Sequence, residues 1–471
     1  MITKHTGRKL TVVSFATCLF VAGCSADSTG SPPAPATATQ SAAGSSIVLP
    51  IAPSAPIQPN DWPMWRGPLG NGISAETDWT SDWPAEGPKK LWSAEIGIGF
   101  SSCAVAGGWL YTLGHEPNTP EKEKAGELTN DTVWCFDAAT GRTIWNYSYP
   151  CKQVADLNEG GPGATPTVDG DRVYTLSKEG QLFCFDAASD GKILWKQELQ
   201  SLLGVPMPEW GFSCSPRILG NMLILDAGRT VALDKLTGAV IWKTAIYRPG
   251  YGSPTIFNVG GQTLVAVLNN DDLLVVRAND GVEVDKVKWE TQYVTTAITP
   301  IVRQKGDETS IFISSFRAGC ALFDLKDGKL VKRYSTKAMS NQLCTCVLWH
   351  DVLYGIDGGN STPSQCKLMA VEYDTGKVLW KERGWGLGSL MLAGDEQGND
   401  KSASGKLIVL SDEGRLGIVA ADPKEYRLLA STQALDGKCW TMPALAGGRI
   451  YCRNAAGHLV CIDVRKDDTK K

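Results

Sequence analysis

Asn269, Asn270, Asp271 and Asp272 place four oxygen-bearing side chains in a row. Oxygen clusters of this kind hold hard cations, and calcium asks for about six to eight such ligands. The same run has the composition of a hairpin turn, and it is read as one. Cys344 and Cys346 in "CTC" stand two apart, on one face of a strand, poorly oriented for a disulfide. His5, His115, His350 and His458 are scattered, and no pair has zinc-ligand spacing. No glycine loop leads into a helix to cradle phosphate. No serine sits on a nucleophile elbow. No catalytic, cofactor or metal residue is therefore assigned. Cys135, Cys184 and Cys461 read as small core residues, whereas Cys151 and Cys366 fall in loops and are expected to react or pair.

Aromatic and arginine residues in glycine-rich loops are the better candidates for contact with a partner or ligand. They are Trp210 in "PEWGFS", Arg248 and Tyr251 in "YRPGYGS", Arg383 and Trp385 in "RGWGLGS", and Trp440 in "GKCWTMP". These residue types anchor interfaces because they bury large area while keeping polar handles.

The elements that carry these loops repeat. "FDAATGRTIW" at 136–145 returns as "FDAASDGKILW" at 185–195, "LDKLTGAVIW" at 233–242 and "VEYDTGKVLW" at 371–380. Aligned on the Asp corner, the unit recurs at Asp137, Asp186, Asp234, Arg277, Asp324, Glu372, about Ala421, and Asp463. Such self-similarity marks a repeat architecture. Within each unit short apolar and β-branched runs are broken by Gly and Asp, so four strands are predicted per unit. Asp137 and Asp234 would accept hydrogen bonds from turn amides, as would Asp186. Gly141, Gly238 and Gly376 supply the positive φ of a tight hairpin. Trp145, Trp195, Trp242 and Trp380 would bury their rings against a neighbouring unit.

Eight four-stranded antiparallel units predict an all-β, eight-bladed propeller. The last unit stops at its third strand. "PKKLWSAEI" at 88–96 is a stray fourth strand near the other end, so it is predicted to complete the last blade and close the ring.

Lys4, Arg8 and Lys9 precede a short apolar run that ends in "VAGC", so residues 1–23 read as an export signal. "VAGC" resembles the bacterial lipobox, which implies a lipid on Cys24; Ser25 after it favours the outer membrane. Residues 24–60 are rich in Pro, Ala, Ser and Thr and read as a disordered tether. Residues 61–87, with "DWPMWRGPLGNGIS", read as a segment that docks on the propeller of residues 88–471. Net charge is −4 with no basic run, which argues against nucleic acid.

The "LDxxTGxxxW" phrase resembles the PQQ-like repeat family. That family includes the propellers of quinoprotein alcohol dehydrogenases and the lipoprotein subunit of the outer-membrane β-barrel assembly machinery. The resemblance spans roughly residues 88–465 and is weaker around Arg277, Asp324 and Ala421. It implies, for the dehydrogenases, a quinone stacked on a vicinal disulfide with calcium held by Glu, Asn and Asp. No two cysteines are adjacent here, so the expectation is a monomeric, non-catalytic, lipid-anchored scaffold for envelope proteins, with no cofactor. The alternatives are a PQQ-dependent oxidoreductase with calcium, and a carbohydrate- or small-molecule-binding propeller using Trp210, Trp385 and Trp440.

Overall fold

The computed structural model describes residues 58–117, 121, 129–153, 159–187, 190–291, 295–395 and 405–466. The predicted export signal, Cys24 and the tether up to residue 57 lie outside them. Eight antiparallel sheets form a propeller ring, numbered here from the sheet that starts at Ala104. The first blade comprises Ala104–Ala106, Trp109–His115, Asn130–Asp137 and Thr143–Pro150. The fourth strands of blades two to seven are Ile193–Glu198, Val240–Lys243, Glu283–Lys288, Lys329–Thr336, Val378–Glu382 and Leu428–Gln433. In blade eight, Ala444–Ala446, Arg449–Arg453 and His458–Asp463 are followed in space by Lys90–Glu95, which pairs Lys90 with Ile462 and Glu95 with His458. Second and third strands are buried on both faces, which is why they read as unbroken apolar runs; outer strands alternate. A short helix, Leu199–Leu203, was not foreseen.

The repeated phrase is an interlock between blades. In all eight sheets the pairing of third and fourth strands shifts by one residue just before the hairpin. This bulge turns the tryptophan toward the next blade. Trp145 Nε1 donates to Ala187 O at 3.3 Å, and a Cβ on Gly191 would stand 2.6 Å from its ring. Trp195 meets Lys235 O and Gly238 in the same way, and Trp242 meets Ala278 O. Trp380 donates to Asp422 O at 2.7 Å. The acceptor is in each case the residue after the Asp corner. Asp137 Oδ1 accepts from the Ala139 and Thr140 amides, and Asp234 Oδ1 from Leu236 and Thr237. The Asp186 turn contains residues 188–189, which are outside the described set; its tryptophan-facing glycine is Gly191.

Where the phrase is weak, other chemistry takes over. In blade five Tyr334 holds the tryptophan position, its hydroxyl donating to Tyr373 O at 2.8 Å with its ring against Gly376. In blade four Asp285 stands there, and it accepts from the Leu330 amide of the next hairpin. Between blades five and six, Arg303 pairs with Asp351 and Asp374, and Arg333 joins Asp324 to Asp374.

Near the axis, from blade one to blade four, a hydroxyl of each following blade caps its predecessor. Ser102 N donates to Thr165 Oγ1, Thr165 N to Ser215 Oγ, and Ser215 N to Ser253 Oγ. The acceptors Thr165, Ser215 and Ser253 each precede a proline at the opening of their blades.

Residues 61–80 are built into the propeller. Trp62 is fully buried and exchanges two backbone bonds with Val105 of blade one. Pro63 O accepts from Val168 of blade two, and Arg66 donates to Thr345 O and Cys346 O at blade six. Ile73–Ser74 adds a parallel fifth strand to Ser389–Ala393 of blade seven. The Glu76 carboxylate accepts from the Gly447 and Gly448 amides of blade eight. A segment bonded to axial strands on opposite sides of the ring must cross the channel between them.

Candidate functional site

The loops that lead into the innermost strands converge on one end of the axis and surround a cavity of about 650 Å³. Its walls carry Phe100, Trp210, Tyr251, Phe316 and Trp440, and Trp65 of the crossing segment reaches it as well. Polar groups between the rings include Ser213, Ser253, Gln342 and Asn360. This volume and apolar lining match small-molecule sites. The turns beyond the innermost strands, such as Gly107–Gly108, lie at the opposite end, where Asp61 accepts from the Gly107 amide.

Three of the six sequence candidates meet here. Trp210, Tyr251 and Trp440 line the cavity and are half-buried. The Trp210 amide donates to the Tyr251 hydroxyl at 3.4 Å, and Trp440 stacks on Phe100 with centroids 5.7 Å apart. Trp385 is the correction: it is fully buried in the core between blades six and seven, against Gly417, with Arg415 over its ring. Packing against the blade-seven strand at Gly417 takes it out of reach of any ligand. Arg248 and Arg383 are exposed outside the cavity. Arg248 pairs with Asp271, which explains the "NNDD" run. Asn269 Oδ1 accepts from the Asp271 and Asp272 amides, and Asn270 Oδ1 from the Thr296 amide. These side chains are occupied in joining two loops.

Sequence reading missed Lys178. It sits in the hairpin turn after Arg172–Leu176, a place that reads as solvent-exposed, yet only 8 % of it is accessible, and it lines the cavity. Burial pushes its ammonium down to about 8, against the opposing pull of Asp131, Cys151 and Glu159. Each acid uses one oxygen on another basic side chain, Asp131 on His115 Nδ1 at 2.6 Å and Glu159 on Lys438 at 2.6 Å, while Asp131 Oδ2 and Glu159 Oε2 are buried without a hydrogen-bond partner. Two further corrections concern the thiols. Cys151 and Cys366 are buried and unpaired rather than reactive loop residues, and burial raises both, Cys366 to about 11.

The sequence of residues 129–382 matches the family model described as outer membrane protein assembly factor BamB. The chain belongs to this family. No curated protein sequence matches it. Among solved structures it is similar to BamB from Moraxella catarrhalis, at 15% identity and a TM-score of 0.54, covering 80% of this chain and 99% of that one. It is also similar to the quinohemoprotein alcohol dehydrogenase of Comamonas testosteroni, at 14% identity and a TM-score of 0.55, covering 87% and 81%. The quinohemoprotein alcohol dehydrogenase ADHIIG of Pseudomonas putida HK5 gives 12% identity and a TM-score of 0.61, covering 86% and 80%. Likenesses this distant show the fold alone.

The residues present do not fit the quinone and calcium set of the family's dehydrogenases. Glu209 carries the one carboxylate among the described residues of the cavity wall. Cys344 and Cys346, the nearest approach to a vicinal pair, are separate buried thiols beside Arg66. Among the described residues no three of His, Cys, Asp and Glu cluster as metal ligands.

Proposed function

We propose that this protein is a lipid-anchored, non-catalytic propeller that serves as an interaction scaffold in the outer membrane, its body in the periplasm or at the cell surface. The observation that carries the reading is the match to the BamB family across more than half the chain. It is supported by the donor chemistry of the cavity, which offers one carboxylate where a calcium-held quinone needs several oxygens. The lipobox-like "VAGC" supports attachment through Cys24. The aromatic loop face, with the exposed Arg248 and Arg383 on its surroundings, offers the residue types that anchor a protein partner.

The test is calorimetric titration of the full chain with pyrroloquinoline quinone and calcium together, beside photo-crosslinking from position 383 in intact cells. The expected result is no stoichiometric quinone binding and a discrete crosslink to an envelope protein. Stoichiometric binding would overturn the reading in favour of a dehydrogenase.

A further inference from the structure

Lys178 is the unusual group in the cavity. A lysine nine-tenths buried would ordinarily be paired, because removing an ammonium from water is expensive. Among the described residues no ion pair reaches its Nζ. Asp131 on the third strand of blade one and Glu159 on the loop into blade two pull on the ammonium without forming an ion pair to it; each has one oxygen on another basic side chain, His115 or Lys438, and one buried oxygen without a partner. Cys151, after the outer strand of blade one, is buried and its thiol raised, so it supplies no charge. Glu209 and Arg317 also line the cavity but are exposed at its edge. The turn also fixes the lysine in place: the Phe212 amide donates to Lys178 O, and a Cβ on Gly211 would meet the lysine stem at 2.5 Å.

We propose that the cavity binds a small organic monoanion with a flat apolar body, its acid group on Lys178 and its body against Trp210, Tyr251 and Trp440. The charge balance selects the class. A neutral ligand, a sugar included, leaves the buried ammonium without a direct ion pair. A polyanion finds one buried cation and is opposed by Glu209. A single carboxylate satisfies Lys178, and charge-assisted hydrogen bonds of this kind are the strong ones. The volume of about 650 Å³ accommodates two or three fused rings. This site is independent of the scaffold reading and stands or falls without it.

The probe is 2-naphthoate, titrated calorimetrically into the full chain, with neutral 2-naphthylmethanol as its counterpart. The expected result is one site per chain, with the alcohol weaker by about tenfold or more. Lys178→Met should lose about tenfold for the acid and keep its affinity for the alcohol. Affinity for the acid should also fall as pH rises through the region of 8, where the free amine loses its proton. Thermal unfolding of Lys178→Met, and of Lys178→Gln beside it, confirms that the fold is intact. Failure of wild type to bind naphthoate at millimolar concentration overturns the proposal. So does equal binding of acid and alcohol, or equal binding of the acid by wild type and a folded Lys178 variant.

Discussion

Trp92, on a strand near the start of the chain, covers Gly141 in the hairpin of the first blade. Its Nε1 donates to Ala138 O at 3.1 Å, and a Cβ on Gly141 would lie 2.5 Å from its ring. This is the same interlock that Trp145 makes with Gly191, here made across the seam between the first blade and the eighth. Trp92 also packs against Tyr451, with centroids 5.9 Å apart. The ring is thus sealed by a strand that lies in the last blade yet precedes the first blade in the chain.

The glycine is needed twice over, for its φ of 73° and for the space the indole takes. Gly141→Val should cost about 3 kcal/mol, combining overpacking with backbone strain. Gly260→Val is the comparison: its φ is 55° but no atom lies within 4 Å of its Cβ position. It should cost about 1 kcal/mol. Urea unfolding of the two variants reads the difference, and equal costs would remove the interlock account.

Arg66 fixes the crossing segment in the channel. Its guanidinium is buried, with a φ of 65° at its backbone, and donates to the carbonyls of Gly70, Asn71, Thr345 and Cys346. Burial lowers it to about 10. Arg66→Met would orphan those carbonyls, and unfolding free energy should fall by about 3 kcal/mol. A loss below about 0.5 kcal/mol, the scale of an exposed side chain, would mean the segment is not held as described.

Asp226 is buried, accepts from the Tyr247 hydroxyl and the Gly228 amide, and is raised by burial to about 7 from 3.8. A raised carboxyl binds its proton more tightly when folded, so its contribution is fully favourable below 3.8 and is lost as pH rises through about 7. Asp226→Asn should therefore be relatively more stable at pH 8 than at pH 4, by on the order of 2 kcal/mol. Unfolding curves at the two pH values decide it; an unchanged difference would show that burial does not raise the Asp226 carboxyl from 3.8.

The twelve cysteines from Cys103 to Cys461 are buried and free. Burial raises Cys103, Cys214 and Cys439 each to about 12, far from the thiolate that reacts. Folded protein should react with a disulfide reagent at these sites only on the timescale of unfolding, and all twelve should titrate in denaturant. Rapid reaction of Cys151 or Cys366 in the folded state would restore the exposed-loop expectation.

The blade count, the hairpin chemistry and the outward role of Trp145 or Trp380 were legible because each is local or periodic. An Asp corner, a positive-φ glycine and a strand tryptophan lie within ten residues of one another, and repetition averages out the noise of any single copy. The weak blades were less legible, since Tyr334 and Asp285 do the same task with different chemistry, and only register reveals that they occupy one position.

The candidate site divides differently. Trp210, Trp385 and Trp440 look alike in sequence, each beside glycine in a lead-in loop. Whether such a ring faces the axis or the neighbouring blade depends on how one sheet rests on the next, and Trp385 turned inward. Lys178 carried no signal, because a lysine in a polar turn is ordinarily solvated; its burial comes from the loop at Gly211, thirty-odd residues on, closing over its stem. The sequence by itself determined an eight-unit all-β ring, because strand period and turn residues act over short range. The tertiary structure alone decided that Trp65 and Arg66 cross the channel and that one buried lysine lines the cavity with no ion pair among the described residues. Those outcomes depend on which surfaces meet when the ring closes, and no local pattern encodes that meeting.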